Sequence, residues 1–327
     1  MGAILDRRRA ENTVRIEELR RELKHAEDLC DDIACVYATG SFGRGEASVH
    51  SDLDLFIVGT GTADKRSLDP LDEILIKADL IEATRRFRIP DFTGGGEYLT
   101  HYSARELVDT LGTREDDVKN TFTARLLLLL ESTPLLGQPV YKRLLRIVIA
   151  AYWRDYEDHR EDFIPAFLAN DVLRMWRTFC VNYEARTATE PPRKRAKRKL
   201  TNYKLKHSRM LTCYSALVYL LAIYTEAGTI SPTVAFEMTS LTPTQRLEWV
   251  LSQPRLSAAH KTTEALIELY EEFLAQTELT EEELVTRFLE KEATSKYSQS
   301  AYKFGDLIFD LMESVGMKNR FHRLLVV

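Results

Sequence analysis

A chain of 327 residues, 44% hydrophobic and 29% charged, is long enough for two domains with sizeable cores and too apolar to be mainly disordered. Its net charge of −5 excludes a general attraction to nucleic acid, so binding of that kind would need a local basic patch. Cys30, Cys35, Cys180 and Cys213 form no Cys-x-x-Cys pair and sit among apolar residues, the pattern of buried reduced thiols rather than zinc ligands or disulfides.

Residues 6–31 place Ile16, Leu19, Leu23, Ala26 and Cys30 at helical spacing among charges, which predicts an amphipathic helix. The stretch 37–58, YATGSFGRGEASVHSDLDLFIV, then concentrates more chemistry than any other and reads as a strand end, a glycine turn and a second strand. Gly40-Ser41 follows the apolar run 33–37, where a tight turn lets backbone approach anionic oxygens. After ten intervening residues come Asp52-Leu53-Asp54. Side chains on a strand alternate at about 3.3 Å per residue, so Asp52 and Asp54 are expected on one face, roughly 7 Å apart, with Leu53, Leu55 and Ile57 turned to the core. Two carboxylates on one edge suit a hard, oxygen-seeking cation, Mg²⁺ above all, that links them to phosphates. Other phosphate and nucleophile motifs do not fit. Ser41 lies in Gly-Ser-Phe-Gly rather than a Gly-x-Ser-x-Gly elbow, and the chain has no Walker A sequence.

Gly59-Thr60-Gly61-Thr62 makes a turn before a helix over 69–87 whose predicted packing stripe is Leu71, Ile74, Leu75, Ala78 and Ile81, with Pro90 ending it. Gly94-Gly95-Gly96 reads as a turn and 97–103, EYLTHYS, as a third strand. From about Ser103 strand signals give way to helical periodicity, which sets a domain boundary near residue 112. Helices are expected over FTARLLLLLES and over about 140–154, 163–184 and 197–224, with a Pro and Gly loop in the SxPLLGQPVY segment. The apolar runs 126–130 and 211–224 are too short to cross a bilayer, and the N-terminus lacks an apolar core of signal-peptide length. The expectation is a cytoplasmic chain without membrane contact.

In the helix over 163–184, Asn170, Arg174 and Arg177 recur on one face while Val172, Leu173, Met175 and Phe179 serve packing. The segment PPRKRAKRKLTNYKLKHSR, 191–209, holds nine Lys or Arg and no acid. Its first half, 193–199, is a solvated loop or helix start, either plainly exposed or part of a track for single-stranded nucleic acid or tRNA from Arg193 to Arg209. In the second half, Lys204 and Ser208 are i, i+4 neighbours on a helix. Residues 264–292 carry ten glutamates, with Leu266, Ile267, Tyr270, Phe273 and Leu274 as the packing set. That acidic face is solvated or docks the basic segment in a homo-oligomer. The expected fold class is α+β, with a small mixed-sheet core at 1–112, a helical nucleotide- or substrate-binding domain at 113–228 and a helical extension at 229–327.

Gly40-Ser41, ten residues, then Asp52-x-Asp54, set between two apolar strands, resembles the signature of the polymerase-beta-type nucleotidyltransferase superfamily. The resemblance implies two Mg²⁺ ions, with Mn²⁺ as a substitute, held by Asp52, Asp54 and a third carboxylate from the later strand, for which Glu97 is the nearest candidate and Asp91 the next. It implies that Gly40 and Ser41 bind triphosphate through backbone N–H and hydroxyl. Arg44 would then neutralise charge on pyrophosphate, or else be an exposed turn arginine. Lys204 and Ser208, with Asn202 or Arg209 nearby, would hold the triphosphate tail. ARLLLLLES, the NDxLRxWR helix and KLxHSR extend the likeness to bacterial stand-alone nucleotidyltransferases with a helical C-terminal half. Some members of the wider superfamily act in anti-phage systems, the Hailong nucleotidyltransferase among them, and others are toxins that modify tRNA or protein. The implied reaction moves NMP or dNMP from a nucleoside triphosphate to a hydroxyl. The leading expectation is synthesis of an oligonucleotide or nucleotide signal. Transfer to tRNA or protein, modification of a small molecule, and an inactive nucleotide-binding or antitoxin partner stay open, as does an effector partner protein.

Overall fold

A computed structural model of the chain describes residues 2–62, 67–92, 99–184 and 191–326. The chain divides into two compact units, Leu5–Arg154 and Asp155–Val327, the latter joined by Met1–Ile4. The first runs α1 (Ala3–Glu22), α2 (Lys24–Cys30), β1 (Ala34–Ala38), α3 (Gly40–Gly43), β2 (Leu55–Gly59), α4 (Pro70–Arg86), β3 (His101–Ser103), α5 (Ala104–Asp109), α6 (Glu115–Val118), α7 (Thr121–Leu130), β4 (Thr133–Leu136) and α8 (Gln138–Tyr152). The sheet order is β3-β2-β1-β4, with β1 antiparallel to both β2 and β4 and β2 parallel to β3. This is the expected mixed sheet.

Burial explains the two layers that cover it. On one face Ala34, Val36, Ala38, Leu55 and Ile57 join Ile16, Leu19, Leu23, Ala26 and Cys30 in a single core, so the apolar spacing read over 6–31 is the packed face of α1 and α2, which are two helices broken at Leu23. On the other face Tyr37 stacks on Phe56 with ring centroids 5.4 Å apart and donates its hydroxyl to Ala124 O at 3.0 Å, under α7. The five-residue strands are buried on both faces, which is why they read as continuous apolar runs rather than alternating ones.

Two expectations fail here. The Pro and Gly segment after α7 is not all loop. Residues 133–136 form β4, pairing Ala38 with Thr133 and Val36 with Leu136 at the sheet edge, where a proline without an N–H is tolerated and the register shifts between Val36 and Tyr37. The stripe assigned to α4 is the wrong one. Leu71, Ile74, Leu75 and Ala78 are exposed, while Glu73, Ile76, Leu80, Ala83 and Thr84 are buried. Apolar residues lie all round this helix, so its period alone does not orient it. The polar members of the buried face are satisfied locally: Lys77 Nζ meets Glu73 Oε1 at 2.6 Å and Thr84 Oγ1 donates to Leu80 O at 3.0 Å.

Under α7 lies a dry ion pair. Both nitrogens of the Arg125 fork meet Asp116, at 2.9 and 2.6 Å, with both side chains fully buried, and Arg125 Nε donates to Tyr152 OH at 2.9 Å. Burial works against the charged guanidinium, but the Asp116 carboxylate and Tyr152 outweigh it and raise its pKa further.

The second unit is helical throughout its described residues: α9 (Ala166–Glu184), α10 (Pro192–Ala227), α11 (Pro232–Thr239), α12 (Pro243–Ser252), α13 (Ser257–Gln276), α14 (Glu281–Arg287), α15 (Lys291–Gly316) and α16 (Arg320–Val326), with short 3-10 turns at Tyr156–His159 and Pro254–Leu256. The spine is α10, which takes in the basic segment and the apolar run as one helix of 36 residues. It is long and apolar enough to pass for a membrane span, yet 67% of its apolar window is buried within the fold, where α10 packs on α9, α12 and α15. The predicted packing residues of α13, Leu266, Ile267, Tyr270, Phe273 and Leu274, are all buried, as are Val172, Leu173 and Met175 of α9. His207 sits in an aromatic cluster, stacked on Phe273 at 4.7 Å, and burial pushes its pKa down to about 4.

Candidate active site

Sheet register brings the two halves of the sequence motif to one edge. Ala38 pairs with Leu55, so the turn that leaves β1 and the segment that enters β2 share one end of the sheet, and Thr39 N donates to Asp54 O at 2.9 Å to extend the ladder by one bond. Asp52 and Asp54 are exposed on either side of buried Leu53. Because β3 runs parallel to β2, with Ile57 beside His101, the N-terminal end of β3 points to the same edge.

Gly40 opens the short helix α3 with φ +63, and a Cβ added there would stand 2.8 Å from Asp54 Oδ2. Only glycine combines that conformation with that approach. Gly43 closes the turn against backbone: a Cβ on it would lie 2.1 Å from Glu131 O. The first N–H groups of a helix have no acceptor within it, and here the Gly40 N–H donates to Glu131 Oε1 at 3.1 Å. In this structure the Gly40 N–H is thus bonded within the protein. Ser41 is half-buried, and it follows a buried Thr39 hydroxyl with no hydrogen-bond partner among the described residues.

Arg44 is not an exposed turn arginine. It is 7% exposed and lies between two buried carboxylates, Nε to Glu46 Oε2 at 3.0 Å and one terminal nitrogen to Glu131 Oε2 at 2.9 Å. The sequence reading missed Glu131 because it stands 87 residues after Arg44, at the C-terminal end of α7. Helix α1 braces the same loop from outside. Arg8, Asn12 and Arg15, spaced along one face, donate to the carbonyls of Glu46, Phe42 and Ser48 at 3.1, 3.3 and 2.6 Å, and the Arg15 guanidinium covers the Phe42 ring.

Residues 16–98 match the family model for a nucleotidyltransferase domain. The chain carries a nucleotidyltransferase domain of the polymerase-beta type. Neither the curated proteins nor the solved structures hold a significant match. The domain implies a nucleoside triphosphate substrate and transfer of its nucleotidyl group. Its matched segment contains the glycine turn and both aspartates, whereas Glu131 and β4 lie beyond it.

The donor set of this domain fits a hard divalent cation: two exposed carboxylates, oxygen ligands only, set against a glycine that leaves one of them room. Among the described residues no third His, Cys, Asp or Glu joins them, and Glu97 and Gly94 to Gly96 lie outside the described residues. Asp91 is exposed and paired with Arg85 at 3.3 Å. The remaining expected residues belong to α10 in the second unit. Asn202, Lys204 and Arg209 are half-buried, and Ser208 is 9% exposed with its hydroxyl donated to Lys204 O at 2.8 Å. The first basic half is the helix start of the two expected alternatives, largely exposed, and two of its cations have acid partners. Arg193 and Lys197 pair with Glu282 and Glu281 of α14, each at 2.7 Å, so part of the acidic face docks on the basic segment within the same chain.

Proposed function

We propose that this protein transfers a nucleoside monophosphate from a nucleoside triphosphate to a hydroxyl acceptor, releasing pyrophosphate, and that it builds an oligonucleotide or nucleotide signal without a template. The observation that carries the reading is the Gly40–Asp54 contact at the sheet edge, where a glycine turn made for close backbone approach abuts one of two exposed carboxylates. Asp52 and Asp54 would hold divalent cations, Mg²⁺ by the hardness of the donors, which when bound neutralise triphosphate charge and acidify the acceptor hydroxyl. Glu97 is our candidate for a third carboxylate.

The chain's own part is to place the reacting groups. Ser41 offers its N–H and hydroxyl to the phosphates, and Gly40 keeps the turn close enough for them to reach the carboxylate edge. The acceptor oxygen bonds to the α-phosphorus as the bond to the bridging oxygen breaks, pyrophosphate leaves with the electron pair, and the hydroxyl proton passes to water or to the carboxylate edge. Lys204 and Ser208, a lysine and a hydroxyl one turn apart on α10, with Asn202 and Arg209 nearby, are our candidates within the second unit for holding a polyphosphate. A signal in anti-phage defence is the setting that the resemblance to signal-making relatives supports.

The test is product identity. Purified protein with Mg²⁺ and each labelled ribo- or deoxyribonucleoside triphosphate, and no other acceptor, is expected to give pyrophosphate and a nucleotide product. Asp52→Asn and Asp54→Asn are expected to give none, with thermal midpoints near the wild type, because an exposed carboxylate contributes little to folding. Triphosphates that stay intact until tRNA or a protein is supplied, with label then on that macromolecule, would replace the signal-synthase reading by a transferase acting on macromolecules.

A further inference from the structure

We infer that Glu131 is a positioning residue for this site: it holds the glycine turn in the pose that seats the Asp54 carboxylate. The inference rests on the nucleotidyl-transfer reading and adds to it a residue from outside the matched domain segment. Glu131 caps α7, and its side chain has no exposed surface. One carboxylate oxygen accepts the Gly40 N–H at 3.1 Å and the other takes the Arg44 guanidinium at 2.9 Å, so a single side chain ties the first turn residue to the residue that follows the last. Its main-chain carbonyl fills the space a Gly43 side chain would need, and the next strand adds a bond from Thr133 Oγ1 to Gly43 O at 3.3 Å.

The far side of the turn is the site. Gly40 leaves 2.8 Å between a would-be Cβ and Asp54 Oδ2, and the preceding Thr39 N–H holds the Asp54 carbonyl at 2.9 Å. Contact therefore runs without a gap from Glu131 through Gly40 to Asp54. A buried carboxylate with a charged partner and a backbone donor keeps both in one geometry, because letting go would strand each in a dry interior. The same contact keeps the Gly40 N–H away from incoming phosphate, which leaves the anion to Ser41.

Hydrogen exchange and steady-state kinetics on full-length Glu131→Ala and Glu131→Gln test this, beside Leu80→Ala, a core change in the same unit that leaves the turn alone. In Glu131→Ala the Gly40 amide is expected to exchange at least about tenfold faster, as for loss of a charge-assisted bond, with Ile57 and Val58 in β2 unchanged. Its kcat per folded molecule is expected to fall at least about tenfold, with KM for triphosphate within about threefold, since positioning acts on the transition state. Glu131→Gln keeps the shape and one acceptor and is expected between Ala and wild type on both readouts. Leu80→Ala is expected to lose thermal stability and keep kcat per folded molecule. Wild-type exchange at Gly40 in both Glu131 variants, or a kcat loss no greater than in Leu80→Ala, would overturn the inference. If the wild type turns over no triphosphate, the nucleotidyl-transfer reading fails by itself, and unchanged exchange at Gly40 still overturns the role of Glu131.

Discussion

Replacing Gly40 by alanine separates backbone strain from damage to the carboxylate edge. At φ +63 a non-glycine residue costs about 1–2 kcal/mol relative to glycine. For a unit of this size each kcal/mol lowers the thermal midpoint by about 2–4 °C, so strain alone predicts a fall of about 2–8 °C. The new Cβ would also stand 2.8 Å from Asp54 Oδ2, about 0.6 Å short of the 3.4 Å at which ordinary contact begins, so the carboxylate has to move. A misplacement approaching 1 Å at a reacting centre costs up to about 100-fold, and the expectation for Gly40→Ala is a kcat lower by roughly 10- to 100-fold. Gly112→Ala is the control: its φ is +75, but nothing lies within 4 Å of the added Cβ, so it carries the strain without the collision. It should melt as early as Gly40→Ala and turn over within about twofold of wild type. Pyrophosphate release measured on equal amounts of folded protein decides the matter. Equal activity in the two alanine variants, whether both high or both low, would refute the account of why position 40 is glycine.

The Asp116 and Arg125 pair predicts a large effect with no chemistry attached. Asp116→Ala leaves a guanidinium buried with its charge uncompensated, at a cost of about 3–5 kcal/mol, so a calorimetric midpoint less than about 6 °C below wild type would contradict the described network. His207 predicts an acid sensitivity. Its folded pKa is depressed from 6.5 to about 4, so the unfolded chain binds the extra proton first as pH falls, and stability is fully present above about 6.5 and lost progressively down to about 4. His207→Phe, which keeps the stack on Phe273, should narrow the stability gap between pH 7 and pH 4 by up to about 3 kcal/mol, read from urea unfolding at the two pH values. An identical pH dependence in the variant would show that His207 does not drive it.

What could be read without coordinates was local chemistry on fixed periods. A left-handed glycine after an apolar strand, and two acids alternating with Leu53 before Leu55, follow from backbone sterics and the two-residue strand repeat. The structure starts β2 only at Leu55, just after the aspartates, and buries Leu53 between two exposed acids. The packed faces of α1, α2 and α13 were legible for the same reason, because each carries a single apolar stripe. Tertiary structure decided everything that depends on partners distant in sequence. The apolar residues of α4 lie on several sides, so only docking on the sheet could choose Ile76 and Leu80 over Leu71 and Ile74. Four residues around Pro134 became a strand because β1 offered an open edge about a hundred residues earlier in the chain. The turn arginine became a buried structural charge because two carboxylates, one two residues away and one 87 away, close around it. An ion pair or a strand pairing is a meeting of two segments, and a one-dimensional pattern records each segment without recording which other one it meets.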